Sequence, residues 1–154
     1  TYMNILPGIL KIVLWWVETG EILETHNLPE YWAFPIEDDA SPWMMMFRAY
    51  HAACTFQVLE LSNKIIYKIF EMVFATGTVP CGNLNAVYFL TKPGDGMRKL
   101  MIDLTAYKVP STVYRTHILS WNLEILQDLL LAVKDAGRTE PYAAGLQRYL
   151  TATR

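Results

Sequence analysis

Apolar positions recur at three-to-four-residue spacing over most of this chain, a pattern that predicts amphipathic helices rather than strands. The clearest case runs from Val58 to Ala75. There Leu61, Ile65, Ile69 and Met72 share one stripe, while Glu60, Lys64, Lys68 and Glu71 share the other. An earlier segment, Pro7 to Glu18, is different in kind. Ile9, Leu10, Ile12, Val13, Leu14, Trp15, Trp16 and Val17 leave almost no polar face. A helix apolar all round is expected to be covered on several sides. Pro7 suits its first turn and Gly20 its end.

The polar punctuation sets the remaining elements. Residues 19 to 42 hold Gly, Pro, Asn, Asp and Ser with the acidic run Glu37-Asp38-Asp39, and read as a long loop with a short strand at Glu21 to Leu23. Ser41-Pro42 predicts the cap of a helix from Trp43 to about Phe56. Val79-Pro80-Cys81-Gly82 breaks the Val58–Ala75 helix, and a short helix follows from Asn83 to Leu90. After Pro93-Gly94, Asp95 is placed to cap a helix whose apolar face is Met97, Leu100, Met101 and Leu104. Residues 108 to 119 are ambiguous around Pro110. Ser120 is expected to cap a helix to about Ala136, with Leu123, Leu126, Leu130 and Val133 inside and Glu124, Gln127, Asp128 and Asp135 outside. Pro141 is expected to open a last helix to Leu150. The predicted fold class is all-α, an irregular multi-helix bundle.

Composition narrows the function. Of the 154 residues, 53% are hydrophobic and 18% charged, which excludes a disordered chain and leaves apolar surface to be covered from outside it. The net charge of −2 comes with scattered Lys and Arg, so no row of phosphates would be neutralised and a nucleic-acid partner is not expected. The longest apolar stretch, Ile5 to Val17, is interrupted by Pro7, Gly8 and Lys11 and falls short of the roughly 20 residues that span a bilayer. Two cysteines make no disulfide framework and suit a reducing intracellular setting, cytoplasm or nucleus. The chain opens at Thr1 without an initiator Met and runs straight into a helix, which reads as a fragment whose N-terminal part is missing.

Candidate chemistry is sparse. His26, His51, His117, Cys54 and Cys81 stand at no zinc-site spacing, so no metal is expected. Cys54 and His51 could meet at i and i+3 on a helix, yet no orienting group adjoins them and a small buried thiol is the simpler reading. Glu37-Asp38-Asp39 lacks the glycine and downstream Glu of a calcium loop, and Pro93-Gly94-Asp95-Gly96 lacks the Lys-Ser/Thr of a phosphate loop. No cofactor and no catalytic set are expected. The candidate interface residues are Leu10, Leu14, Trp15 and Trp16 on the first helix and Phe47 and Tyr50 on the second. An all-apolar helix is satisfied either by a partner or by its own core, and the fragment reading favours a partner.

Three stretches resemble the BTB/POZ family, in that family's order. Pro7-Gly8-Ile9-Leu10-Lys11 through Trp16-Val17-Glu18-Thr19-Gly20 is similar to the helix ending in the family's F-x-Y-T-G signature, with Glu18 in place of the usual Tyr. Ala53-Cys54-Thr55-Phe56-Gln57-Val58 with Leu61 and Asn63 resembles its A-D-K-L-Q-V-x-x-L-x-N stretch, with Cys54 and Thr55 replacing Asp and Lys. Pro80 to Leu104 is similar to the segment following BTB domains in many fungal proteins, where an L-R-x-L-[LM]-[VI]-D helix appears, here Met97 to Leu104. The resemblance implies the C-terminal part of a BTB/POZ-like domain at 1–76 and a helical extension at 77–154. It also implies an adaptor that forms homo-oligomers or recruits a cullin-type ubiquitin ligase scaffold. The family's N-terminal strands have no counterpart here, and the replaced Tyr and Asp weaken ligase recruitment. The competing expectation is a small helical enzyme or apolar-ligand carrier, with a cavity lined by Met, Phe and Trp and with His51 or His117 as its polar group.

Overall fold

The computed structural model describes residues 7–22, 41–135, 142, 145–152, and these are all-α, with no β-strand among them. In chain order the helices are α1 (Pro7–Thr19), α2 (Pro42–Thr55), α3 (Leu59–Thr76), α4 (Leu84–Leu90), α5 (Gly96–Lys108), α6 (Ser111–His117) and α7 (Leu123–Asp135), with 3-10 turns at Cys81–Asn83 and Leu146–Tyr149. The chain divides into two compact units, residues 1–69 with 151–154, and residues 70–150. The division falls inside α3 rather than at its end near residue 76.

In the first unit α1 packs against α2. α1 buries Ile9, Ile12 and Val13 but leaves Leu10, Leu14 and Val17 exposed, so it is covered on one face and not all round. The apolar run that suggested complete burial is wider than the single packing face it supplies. Ser41 Oγ accepts from the Met44 amide, capping α2 as its sequence predicts. Met45, Phe47, Ala49, Tyr50, Ala52 and Ala53 form the buried face of α2. Gln57, with φ of 59°, takes the left-handed conformation that ends α2, and the Val58 amide closes back onto the Ala53 carbonyl at 2.8 Å. α3 contributes Leu61, Ile65, Ile66 and Ile69, all fully buried, and its Asn63 clamps the backbone of Thr151 from both sides at 2.9 Å. Glu21 and Ile22 form no strand; the rest of the predicted loop, with Leu23 and the acidic run, lies outside the described residues.

The second unit is built round α5, which packs on α4, α7 and the 3-10 turn at Leu146–Tyr149. Asp95 accepts from the Met97 amide at 2.8 Å and starts the helix. Met97, Leu100, Met101 and Leu104 are fully buried, the face their spacing predicts. Pro110, in extended backbone, separates α5 from α6, which resolves the ambiguous stretch as helix. Tyr114 on α6 donates to the Thr105 carbonyl at 3.0 Å, and burial pushes its phenol up to about 12. Trp121 donates to the Cys81 carbonyl at 3.0 Å and stacks with His117. Phe70, Phe74, Tyr107 and Tyr142 form an aromatic cluster with ring centroids 4.5 to 6.4 Å apart. Ser120 does not cap α7. Its hydroxyl donates to the His117 carbonyl, and Asn122 caps the helix by accepting from the Ile125 amide at 2.9 Å. Of the last predicted helix, Tyr142 and residues 145–150 are described, and Leu146–Tyr149 form a 3-10 turn after Gly145, whose φ of 97° is not helical.

Candidate protein-interaction surface

The geometry of the second unit starts from two charges on α5. Arg98 is 6% exposed and Asp103 7%, and each anchors a polar network. Arg98 donates to the carbonyls of Tyr88 and Thr91, to Thr91 Oγ1 and to Glu124 Oε1, and its guanidinium lies 4.3 Å from the Tyr88 ring centroid. Tyr88 in turn donates to Asp128 at 2.5 Å. Burial, then that carboxylate, push the Tyr88 phenol well above its ordinary range. Asp103 accepts from the Tyr149 hydroxyl at 2.7 Å and pairs with Arg148 at 3.5 Å. Burial raises its carboxyl above the usual value, although the Tyr149 hydrogen bond, Arg148 and Lys99 oppose the rise. These are the Arg and the Asp of the Met97–Leu104 stretch. Their place in the fold accounts for both: one ties α4 and α7 to α5, the other ties down the 3-10 turn.

The network reaches α7 through Glu124, whose side chain is 49% exposed, and half-buried Asp128, at the edge of the face buried at Ile125 and Leu129. The leucines expected inside lie elsewhere. Leu123 is 70% exposed, Leu130 60% and Val133 58%, with Leu126 half-buried and Leu119, just before the helix, 95% exposed. They follow one another at intervals of four, three, four and three residues, the heptad rhythm of a helix-pairing seam. The sequence carries that rhythm, but the same spacing of Leu123, Leu126, Leu130 and Val133 also fits a core stripe.

The sequence-predicted residues separate. Leu10 and Leu14 are exposed on α1, at 40% and 46%, and Trp15 and Trp16 are half-buried beside them. Phe47 and Tyr50 are 1% and 2% exposed in the core of their unit, because α2 turns that face toward its neighbours, and side chains so covered offer a partner no area. The interface reading does not extend to them. Trp43, Met44 and Met46 are half-buried, while Met45 is core.

The second unit also carries an open cleft of about 380 Å³, lined by Arg98, Lys99, Asp103, Asp128, Asp135 and Arg148 with Ile102 and Leu131. Its walls carry both signs of charge, and neither His51 nor His117 lines it. Cys81 is buried and its thiol is pushed up by that burial, which disfavours the nucleophilic thiolate. Among the described residues no group of three or more His, Cys, Asp or Glu could hold a metal ion, and no helix is long and apolar enough to cross a membrane. Comparison of the chain with protein-family models, with characterised proteins and with solved structures finds no match.

Proposed function

We propose that this chain is a non-enzymatic protein-interaction module that presents the α7 seam, Leu119, Leu123, Leu126, Leu130 and Val133, to another protein. The observation that carries the reading is the outward turn of an apolar heptad stripe while the polar side of the same helix is spent on Arg98 and Tyr88. Heptad leucines left in water favour association in proportion to the apolar area a partner covers, offset by the freedom lost on pairing. A second apolar face, Leu10, Leu14 and Val17 on α1, supports the same reading. The resemblance to BTB/POZ proteins of the fungal type suggests an adaptor working inside the cell, in cytoplasm or nucleus, with a cullin-type scaffold as one partner. The Glu18 and Cys54 departures argue against ligase recruitment through those positions.

The test is a quantitative comparison of proteins captured from cells by the wild-type chain and by the double substitution Leu123→Glu, Leu130→Glu. Both positions are exposed, so folding is expected to survive. A defined set of proteins lost from the variant supports the module; identical captures from both chains contradict it.

A further inference from the structure

We propose that Asn63 on α3 is the recognition residue of a peptide-docking site, which takes an extended main chain and which Thr151 of the same chain occupies in the structure. The first argument is the hydrogen-bond pattern. Asn63 Nδ2 donates to the Thr151 carbonyl, and the Thr151 amide donates to Asn63 Oδ1, each at 2.9 Å. An asparagine amide carries the same donor and acceptor as a peptide group, so the pair copies one rung of a β-ladder. Extended backbone turns the N–H and the C=O of one residue to the same side, whereas in a helix they point opposite ways along the axis. The partner is therefore an extended segment and not a helix, with no proline at the clamped position.

The second argument is how the resident segment is held. Leu150 leads into it in extended backbone, with φ of −84° and ψ of 145°. Thr151 and Ala152 are exposed, so the hold here is on main chain, and side-chain identity restricts little what replaces it. Both hydrogen bonds lie at the surface, where water competes for each group, so the segment is released at small cost. The receptor, by contrast, is fixed. Leu61, Ser62, Ile65 and Ile66 around Asn63 are fully buried, in the same compact unit as Thr151. A rigid amide facing a weakly held segment is a site with a built-in competitor, blocked by Thr151 until an extended segment of another protein takes its place. The site is separate from the α7 face and stands whether or not that face is used.

The probe is a blocked tripeptide copying Leu150, Thr151 and Ala152, titrated into the isotope-labelled full chain while the Asn63 side-chain amide resonances are followed. Thr151→Pro removes the donor of the resident segment without shortening the chain. Saturable movement of the Asn63 resonances is expected in this variant. The wild type should respond about tenfold more weakly, because its tethered segment competes at high effective concentration. The same peptide methylated on its threonine nitrogen is expected to move nothing. No movement in a Thr151→Pro chain of unchanged helical circular dichroism, equal responses in wild type and variant, or binding of the methylated peptide overturns the proposal. A second measurement does not depend on that variant: hydrogen exchange of the Thr151 amide should quicken about tenfold in Asn63→Ala, and an unchanged rate overturns the clamp.

Discussion

Replacing Arg98 by alanine separates the contributions that hold the second unit together. The guanidinium donates to the Tyr88 carbonyl at 2.8 Å, to the Thr91 carbonyl at 2.7 Å and to Thr91 Oγ1 at 2.9 Å, all at the C-terminal end of α4. A helix end leaves its last carbonyls without intrahelical partners, and here one buried side chain serves two of them. Stranding a buried acceptor costs about 1–3 kcal/mol each. Glu124 accepts the remaining bond, but its side chain is 49% exposed, so after solvent screening the ion pair itself contributes about 0–1 kcal/mol. Arg98→Ala is therefore expected to destabilise by about 3–5 kcal/mol, in the range found when a buried charged network loses one partner. Arg98→Lys, which keeps the charge but not the planar fork, falls between this variant and wild type. Glu124→Gln should cost no more than about 1 kcal/mol. Urea titration followed by circular dichroism gives the order of the three from their midpoints at constant m. If Glu124→Gln costs as much as Arg98→Ala, the ion pair and not the capped carbonyls carries the network, and the reasoning is refuted.

Two further outcomes follow from particular side chains. Burial raises the Asp103 carboxyl, so the folded chain holds that proton to higher pH than the unfolded chain does. Its contribution to stability is then fully present below the unfolded value and is lost as pH rises through the folded one. Wild-type stability minus that of Asp103→Asn should fall as pH rises across this window; a rise instead would mean that Tyr149 and Arg148 outweigh burial. Gln57 holds a φ of 59°, a conformation that glycine adopts without cost, so Gln57→Gly is expected to raise the unfolding free energy by about 0.5–1 kcal/mol, and a lower urea midpoint would contradict this.

The helices were largely legible in the sequence because their local rules agree. Ser41 and Asp95 each cap the helix predicted for them, and the three-to-four spacing of Leu61, Ile65 and Ile69 identifies a face that is fully buried. What was not legible is what depends on contacts distant in sequence. α7 has apolar residues over more than half its circumference, so periodicity alone does not say which part faces inward. The inward part, Ile125 and Leu129, is the one flanked by Glu124 and Asp128, which bond Arg98 and Tyr88 far away in sequence. The caps fail for a related reason. Ser120 and Asn122 both suit an N-cap, but the Ser120 hydroxyl is taken by the His117 carbonyl at the end of α6, which leaves Asn122 to start the helix. The candidate interface divides in the same way: Leu10 and Leu14 keep their exposure, while Phe47 and Tyr50 on α2 are used by the core.

The interaction reading depends on α7 holding its leucines outside the fold, and the unfolding free energy of Leu130→Glu tests this most directly. At 60% exposure the substitution is expected to change stability by no more than about 0.5 kcal/mol when measured on dilute protein, with m unchanged. A loss of about 2–5 kcal/mol, the cost of emptying and charging a core position, would place Leu130 inside the fold and contradict the seam.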